Sequence, residues 1–236
     1  MRAAGVDTVP GTGVKVLSER VRGIVAPGDL DIDRWVEGIT AAHRAGFSST
    51  SVLFYGHVET AHERIVHLRR LRDIQSLSAT PPLDVPLLDV PLSTAQSPSD
   101  RSKVGHAQRE SPGGFTEFVP IPLPGPQGGV PLVADRSPLD EHRAMVAVSR
   151  LLLAGSIRHI QIPWTRHDTA TTAALLQAGG DDLGGTLLDG RVRPETGIEH
   201  GHELTLDAAA RLVRPLFRPL RQRATDYGDA GRKPTA

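Results

Sequence analysis

Residues 50–77 read TSVLFYGHVETAHERIVHLRRLRDIQSL. The six residues from Thr50 to Tyr55 are rich in β-branched, aromatic and apolar side chains, and Gly56 stops them, as expected for a buried strand. Thr60 can then cap a helix from Ala61 to about Leu77, with Ile65, Leu68, Leu71 and Ile74 on one face. A strand passing directly into a helix is one βα unit. Repeats of that unit imply a parallel sheet joined by helical crossovers.

Upstream, Ile32, Trp35, Val36, Ile39 and Ala42 form a helical stripe between Asp31 and Arg44, which Gly46 ends. Downstream, Phe115 to Ile121 is a second strand and Leu139 to Leu153 a helix. Arg158 to Pro163 is a third strand, and Thr169 to Ala178 a helix stopped by Gly179-Gly180. Asp181 to Thr186 is a short fourth strand or turn. Leu204 to Leu216, and the arginine-rich stretch up to Arg223, read as helices broken at Pro215 and Pro219. A closed eight-unit barrel takes roughly 250 residues. Residues 78–112, however, contain SATPPLDVPLLDVPL, a proline-punctuated repeat that supports neither a helix nor a sheet ladder. They are expected to form a disordered or loosely packed surface insertion, because they cannot bury enough apolar area to offset their ordering entropy. The expected fold is therefore α/β, a partial (βα) barrel of about four parallel units. Residues 1–77 carry the first units, 113–228 the remaining units and C-terminal helices, and 229–236 a polar tail.

The chain carries 27 basic and 27 acidic side chains and no cysteine. That balance supplies no concentrated basic field, so neither nucleic acid nor an anionic membrane is an expected partner. Without cysteine there can be no disulfide, thiolate metal site, cysteine-ligated iron–sulfur cluster or thiol nucleophile in this chain. No apolar run approaches the ~18 residues of a membrane span, and no signal-like segment follows Met1, so a cytoplasmic protein is expected.

Five segments occur in a telling order. They are Ala4-Gly5-Val6-Asp7-Thr8-Val9-Pro10-Gly11-Thr12, Tyr55-Gly56-His57-Val58-Glu59-Thr60, Gly113-Gly114-Phe115-Thr116-Glu117-Phe118-Val119-Pro120, Asp182-Leu183-Gly184-Gly185-Thr186 and Arg221-Gln222-Arg223-Ala224-Thr225-Asp226-Tyr227-Gly228. Together they resemble the radical S-adenosylmethionine (SAM) enzymes that make FO, the deazaflavin chromophore of factor 420. The GGFTEF segment is similar to the half that joins tyrosine to a ribitylaminouracil; the futalosine enzymes of menaquinone synthesis are the nearest competitors. The resemblance implies the open half of a radical SAM TIM-like barrel, with SAM as cofactor. It also implies a 4Fe-4S cluster, whose CxxxCxxC loop belongs to an upstream half absent from these residues. In the family, SAM cleavage yields a 5′-deoxyadenosyl radical that starts C–C bond formation. A split enzyme is then one expectation, with a cluster-bearing N-terminal half chain as partner and small molecules as substrates. A non-catalytic remnant or a repurposed binding module is the other. Two departures, IPLPGPQGG after Pro120 and the insertion before GGFTEF, would alter the barrel mouth or wall.

In parallel barrels, functional residues gather where strands end. By resemblance Phe54 packs on the SAM adenine, Gly56 admits a close backbone approach and Glu59 completes the cofactor turn. The plain reading of this turn is a buried strand end, with Glu59 favoured by the helix dipole. Strict alternation puts Phe115 and Glu117 on one face and Thr116 and Phe118 on the other, so Glu117 either meets a substrate inside the barrel or reaches solvent. His57 and Asp182 complete the candidate substrate-binding set; a polar turn is the bland reading of Asp182. No catalytic residue is assigned. No metal site is expected, because HERIVH spaces its histidines five apart, whereas zinc helices use four. His57, His62 and His67 read as surface groups. Arg211, Arg214, Arg218, Arg221 and Arg223 read as a solvated helix face capping the barrel. Four units cannot close, so an open edge is expected near Val6 to Val9 or along Val52 to Tyr55, favouring association.

Overall fold

The computed structural model describes Met1, residues 4–79, 113–122, 138–185 and 204–228, and Ala230. Four strands, β1 (Thr8–Val9), β2 (Ser48–Tyr55), β3 (Phe115–Pro122) and β4 (His159–Ile160), form one parallel sheet in the order β1-β2-β3-β4. Helices α1 (Glu19–Val25) and α2 (Ile32–Arg44) join β1 to β2. The other helices are α3 (Ala61–Ala79), α4 (Pro138–Leu153), α5 (Thr169–Gln177) and α6 (Leu206–Val213). Because spatial order equals chain order, the sheet is wound like part of a βα barrel; a doubly wound sheet would reverse direction. Helix α2 packs on α3, α3 on α4 and α4 on α5, forming an outer layer. β1 pairs only with β2, so among the described residues its far side is the open edge.

Local chemistry fixes the helix starts. Ser18, Asp31, Asp168 and Thr205 each accept a hydrogen bond from the backbone N–H three residues on. Thr60 and Glu63 form a reciprocal capping box before α3. The predicted stripe of α2 is where the sequence puts it, with Ile32, Trp35 and Ile39 buried.

The strict alternation expected along β3 fails. Ser49 pairs with Phe115, but Ser51 pairs with Phe118, so β3 carries one extra residue there. This bulge places Phe115 and Phe118 on the same, outward face, where their rings meet His43 of α2 and His67 of α3. Beyond it, Pro120 sits in a central strand without breaking the ladder. Phe118 accepts from the Gln161 N–H (2.9 Å), and β3–β4 pairing stops at that level, so no donor is missed two residues on.

Other boundaries move as well. β4 is shorter than Arg158 to Pro163, and Asp181 to Thr186 contributes one parallel bridge, Gln161 to Asp182. Among the described residues, those after Phe217 are not helical: Phe217 adopts φ +54° and Pro219 follows. The insertion lies outside the described residues except at its start. Ser78 is helical and buried there, correcting the boundary at 78.

Two histidines read as surface groups are core residues. His67 is fully buried and accepts from the Leu17 N–H (3.0 Å), and His57 is 1% exposed; only His62 lies on the surface. The helix layer also buries His43, which joins α2, α3 and β2. Ser78 Oγ donates to the Ile74 carbonyl, so it accepts from His43 Nδ1 (2.9 Å), and His43 Nε2 accepts from Ser49 Oγ (2.7 Å). Burial holds His43 near pKa 4 and His67 near 3.

Gly113 closes the same corner. A Cβ there would lie 1.9 Å from the Phe47 carbonyl oxygen. Gly113→Ala is expected to cost about 1–3 kcal/mol by forcing the α2–β2 corner from β3. Gly23→Ala, in α1 with open space around it, should instead be neutral or stabilising by about 0.5–1 kcal/mol. Urea midpoints of the two variants measure this, and equal midpoints would refute it.

No described helix is long and apolar enough to cross a membrane.

Candidate functional site

The sheet sorts its residues by parity. Ser49, Ser51, Leu53 and Tyr55 of β2 turn toward the helices. Val52 and Phe54 turn inward, level with Val119 and Ile121 of β3. Glu117 pairs with His159 two residues before Val119, and Asp182 bridges Gln161. The concave face thus carries a partly buried Phe54 at one level and a polar group around Glu117 and Asp182 at another. Ile121 lies four positions beyond Glu117 on β3, about 13 Å along the strand.

The upper part is the turn after β2. Gly56 has φ +94°, a region that favours glycine, and a Cβ there would meet nothing within 4 Å, so the backbone is open to close approach. Glu59 closes the turn from below. Its Oε1 accepts from the Gly56 N–H (2.7 Å) and from Arg64, and its Oε2 accepts from the His57 N–H (3.0 Å) and faces His57 Nδ1 (3.0 Å). Burial alone would raise its pKa; His57, the Gly56 amide and Arg64 outweigh burial and hold it near 2. Its lone pairs are occupied within the turn, so Glu59 sets the loop shape. His57 Nδ1 also lies 2.7 Å from the Val58 N–H, and its buried Nε2 has no hydrogen-bond partner among the described residues.

The lower part centres on Asp182. Its Oδ1 accepts from the Gly184 N–H (2.9 Å) and Arg223 Nε (3.1 Å), its Oδ2 from Arg223 Nη2 (2.5 Å) and Tyr227 Oη (2.5 Å). Burial opposes ionisation, but Arg223, Tyr227 and the Gly184 amide keep its pKa below the usual range. The four bonds saturate a carboxylate. Tyr227 stacks on His159 (3.9 Å, 8°) and lies under the Arg223 guanidinium (3.9 Å). Arg223 is therefore no solvated helix residue. Arg218, whose Nη1 donates to the Leu176 and Gly180 carbonyls, likewise anchors the C-terminal segment.

Glu117 differs from both. It is 5% exposed, and Thr116 Oγ1 meets its Oε2. Burial raises its pKa, Asp182 adds to the effect, and Thr116 and Arg223 oppose it.

The structure thus groups Phe54, Gly56, His57 and Glu59 in one turn and Glu117 with Asp182 in a second cluster. Sequence reasoning missed a third group on the helix side of the same strand end. Tyr55 Oη shares a hydrogen bond with His142 Nδ1 (2.6 Å), His142 packs edge-on against His167 (4.8 Å), and Arg64 bridges Glu59 and Glu141 beside the Tyr55 ring. No local motif signals a pairing 87 residues apart. Among the described residues no group of three metal-ligating side chains is assembled.

No protein-family model matches the chain. The chain is 34% identical over 230 residues to an FO synthase of Mycobacterium tuberculosis, covering 96% of this chain and 23% of that protein. An FO synthase of Nocardia farcinica is 33% identical over 237 residues, 99% of this chain and 24% of that protein. The 5-amino-6-(D-ribitylamino)uracil–L-tyrosine 4-hydroxyphenyl transferase 1 of Methanosarcina mazei is 32% identical over 235 residues, 98% of this chain and 54% of that protein. The chain therefore spans about a quarter of the FO synthases and about half of the separate transferase. Similarity along almost the whole chain, on a sheet wound as part of a βα barrel, makes it a homologue of FO synthase and of the tyrosine 4-hydroxyphenyl transferases.

Proposed function

We propose that the chain forms the substrate-binding side of a 4-hydroxyphenyl transfer site, for a ribitylaminouracil and L-tyrosine, with the SAM turn at Tyr55 to Glu59. The carrying observation is the concave sheet face. It combines an apolar strip (Val52, Phe54, Val119, Ile121) with a buried acid, Glu117, beside a fixed Asp182–Arg223–Tyr227 cluster. An apolar wall with a few convergent polar groups suits a small polar heterocycle.

The SAM reading is supported by the open backbone at Gly56 and by Phe54 on the inner face above it. When bound, SAM supplies the family's radical initiation; Phe54 would stack and the turn would position the ligand. His57 is placed there as a substrate contact because its buried Nε2 lacks a partner among the described residues. The iron–sulfur cluster does not fit these residues. None of the 236 is a cysteine, so cluster ligands must come from outside them.

The test is isothermal titration calorimetry of the chain with 5-amino-6-(D-ribitylamino)uracil, L-tyrosine and SAM separately. Anaerobic assays follow, with and without the cluster-bearing portion of a homologue. The chain alone should bind the uracil saturably and cleave no SAM, and product should appear only with the added portion. Uracil binding without product in the mixture favours a repurposed binding module.

A further inference from the structure

Three carboxylates lie at the two clusters, and their hydrogen bonds separate them. Glu59 and Asp182 spend their acceptor sites on protein donors. Glu117 is also buried, yet among the described residues only Thr116 hydrogen-bonds its carboxyl, and none bonds its Oε1. A buried acid with spare hydrogen-bonding capacity calls for a ligand partner.

We propose that Glu117 reads the heterocycle: its carboxyl pairs with a lactam edge of the ribitylaminouracil, one ring carbonyl with the adjacent ring N–H. This rests on the substrate reading given above. A lactam offers one acceptor beside one donor, and a neutral carboxylic acid offers the complement. Glu117 Oε1–H would donate to the ring carbonyl, while Oε2 accepts the ring N–H on one lone pair and, on the other, a share of the single Thr116 Oγ1 proton, which also reaches the Ser49 carbonyl (3.2 Å). A carboxylate would set negative charge against the ring carbonyl and lose that bond.

The surroundings favour the neutral form. Burial opposes the charge on Glu117, and ionised Asp182 adds repulsion. Arg223 is the opposing cation, but its guanidinium is engaged with Asp182. The other titratable groups at this level are Tyr227, bonded to Asp182, and His159, which faces Asp181 (3.1 Å) and stacks on Tyr227. β2 brings only Ser49, Thr50 and Ser51 alongside. The alternative role for Glu117, a carboxylate holding the ammonium of tyrosine, needs the opposite protonation state.

The two roles therefore predict opposite pH slopes. Titration of the chain with 5-amino-6-(D-ribitylamino)uracil between pH 6.5 and 8.5 should show affinity falling with pH, approaching about tenfold per unit above the Glu117 pKa. Glu117→Gln keeps a donor and an acceptor on the same skeleton, so it should bind with a flat profile. Glu117→Ala should lose the binding, with circular dichroism confirming its fold. Uracil affinity that rises with pH, or that Glu117→Ala leaves unchanged, overturns this inference alone. So does loss of L-tyrosine binding in Glu117→Gln with uracil binding intact. A wild-type chain that binds neither compound overturns the substrate reading with it.

Discussion

Acidification from pH 7 to about 4.5 is expected to unfold the chain, because its helix layer is built around neutral histidines. Burial is the main cause in each case and holds the pKa of His43 near 4, His67 near 3 and His167 near 4. The Val52 carbonyl slightly offsets burial at His67, and neighbouring His142 adds to it at His167. An unfolded histidine titrates near 6.5, so below that pH the unfolded chain binds more protons than the folded one. The stability contributed by these groups is complete above about 6.5 and is lost as pH falls toward the folded values. Each costs about 1.4 kcal/mol per pH unit. At pH 4.5 the three together reach about 8 kcal/mol, comparable to the whole stability of a typical domain. Glu117, with its pKa raised, acts in the opposite sense and recovers a part. Urea titrations followed by circular dichroism at pH 7, 5.5 and 4.5 measure the slope. His67→Gln, which can still accept from Leu17, should flatten it. A midpoint unchanged from pH 7 to 4.5 would falsify the account.

Glu59→Ala is the second large effect, with an expected cost of about 3–5 kcal/mol. The substitution strands the Gly56 and His57 amides at a buried turn and leaves Arg64 with Glu141 as its remaining carboxylate. Glu37→Ala, on the exposed side of α2, should stay within about 0.5 kcal/mol of the parent. Equal urea midpoints for the two variants would remove Glu59 from the fold's supports. Ligand binding should separate its role from that of Glu117: Glu59→Ala should weaken SAM through the deformed turn, and Glu117→Gln should leave SAM unaffected.

The outer half of the architecture was legible in the sequence because its signals are local. The stripe of α2 and the strand ended by Gly56 are set by spacing within a dozen residues. The inner half was less so. Phe115 and Phe118 read as opposite faces because period two presumes an unbulged strand, and the extra β3 residue shows only in the register with β2. His57 and His67 read as surface because a polar side chain counts as solvated until its partners are known. The partner of His67 is the backbone of Leu17, 50 positions away. Glu117 and Asp182 stand out in the sequence as polar residues at or beside strand positions. That Asp182 is saturated and Glu117 is not depends on Arg223 and Tyr227, 41 and 45 residues beyond Asp182.

The Asp182 clamp also gives the chain a direction in time. At ribosomal rates of about 5–20 residues per second, Tyr227 follows Asp182 by roughly 2–9 s. Until then the Asp182 carboxylate has the Gly184 amide but neither Arg223 nor Tyr227. The nascent sheet therefore passes through an interval in which its last bridge is unlatched and its concave acids face water, and the final residues of the clamp end that interval.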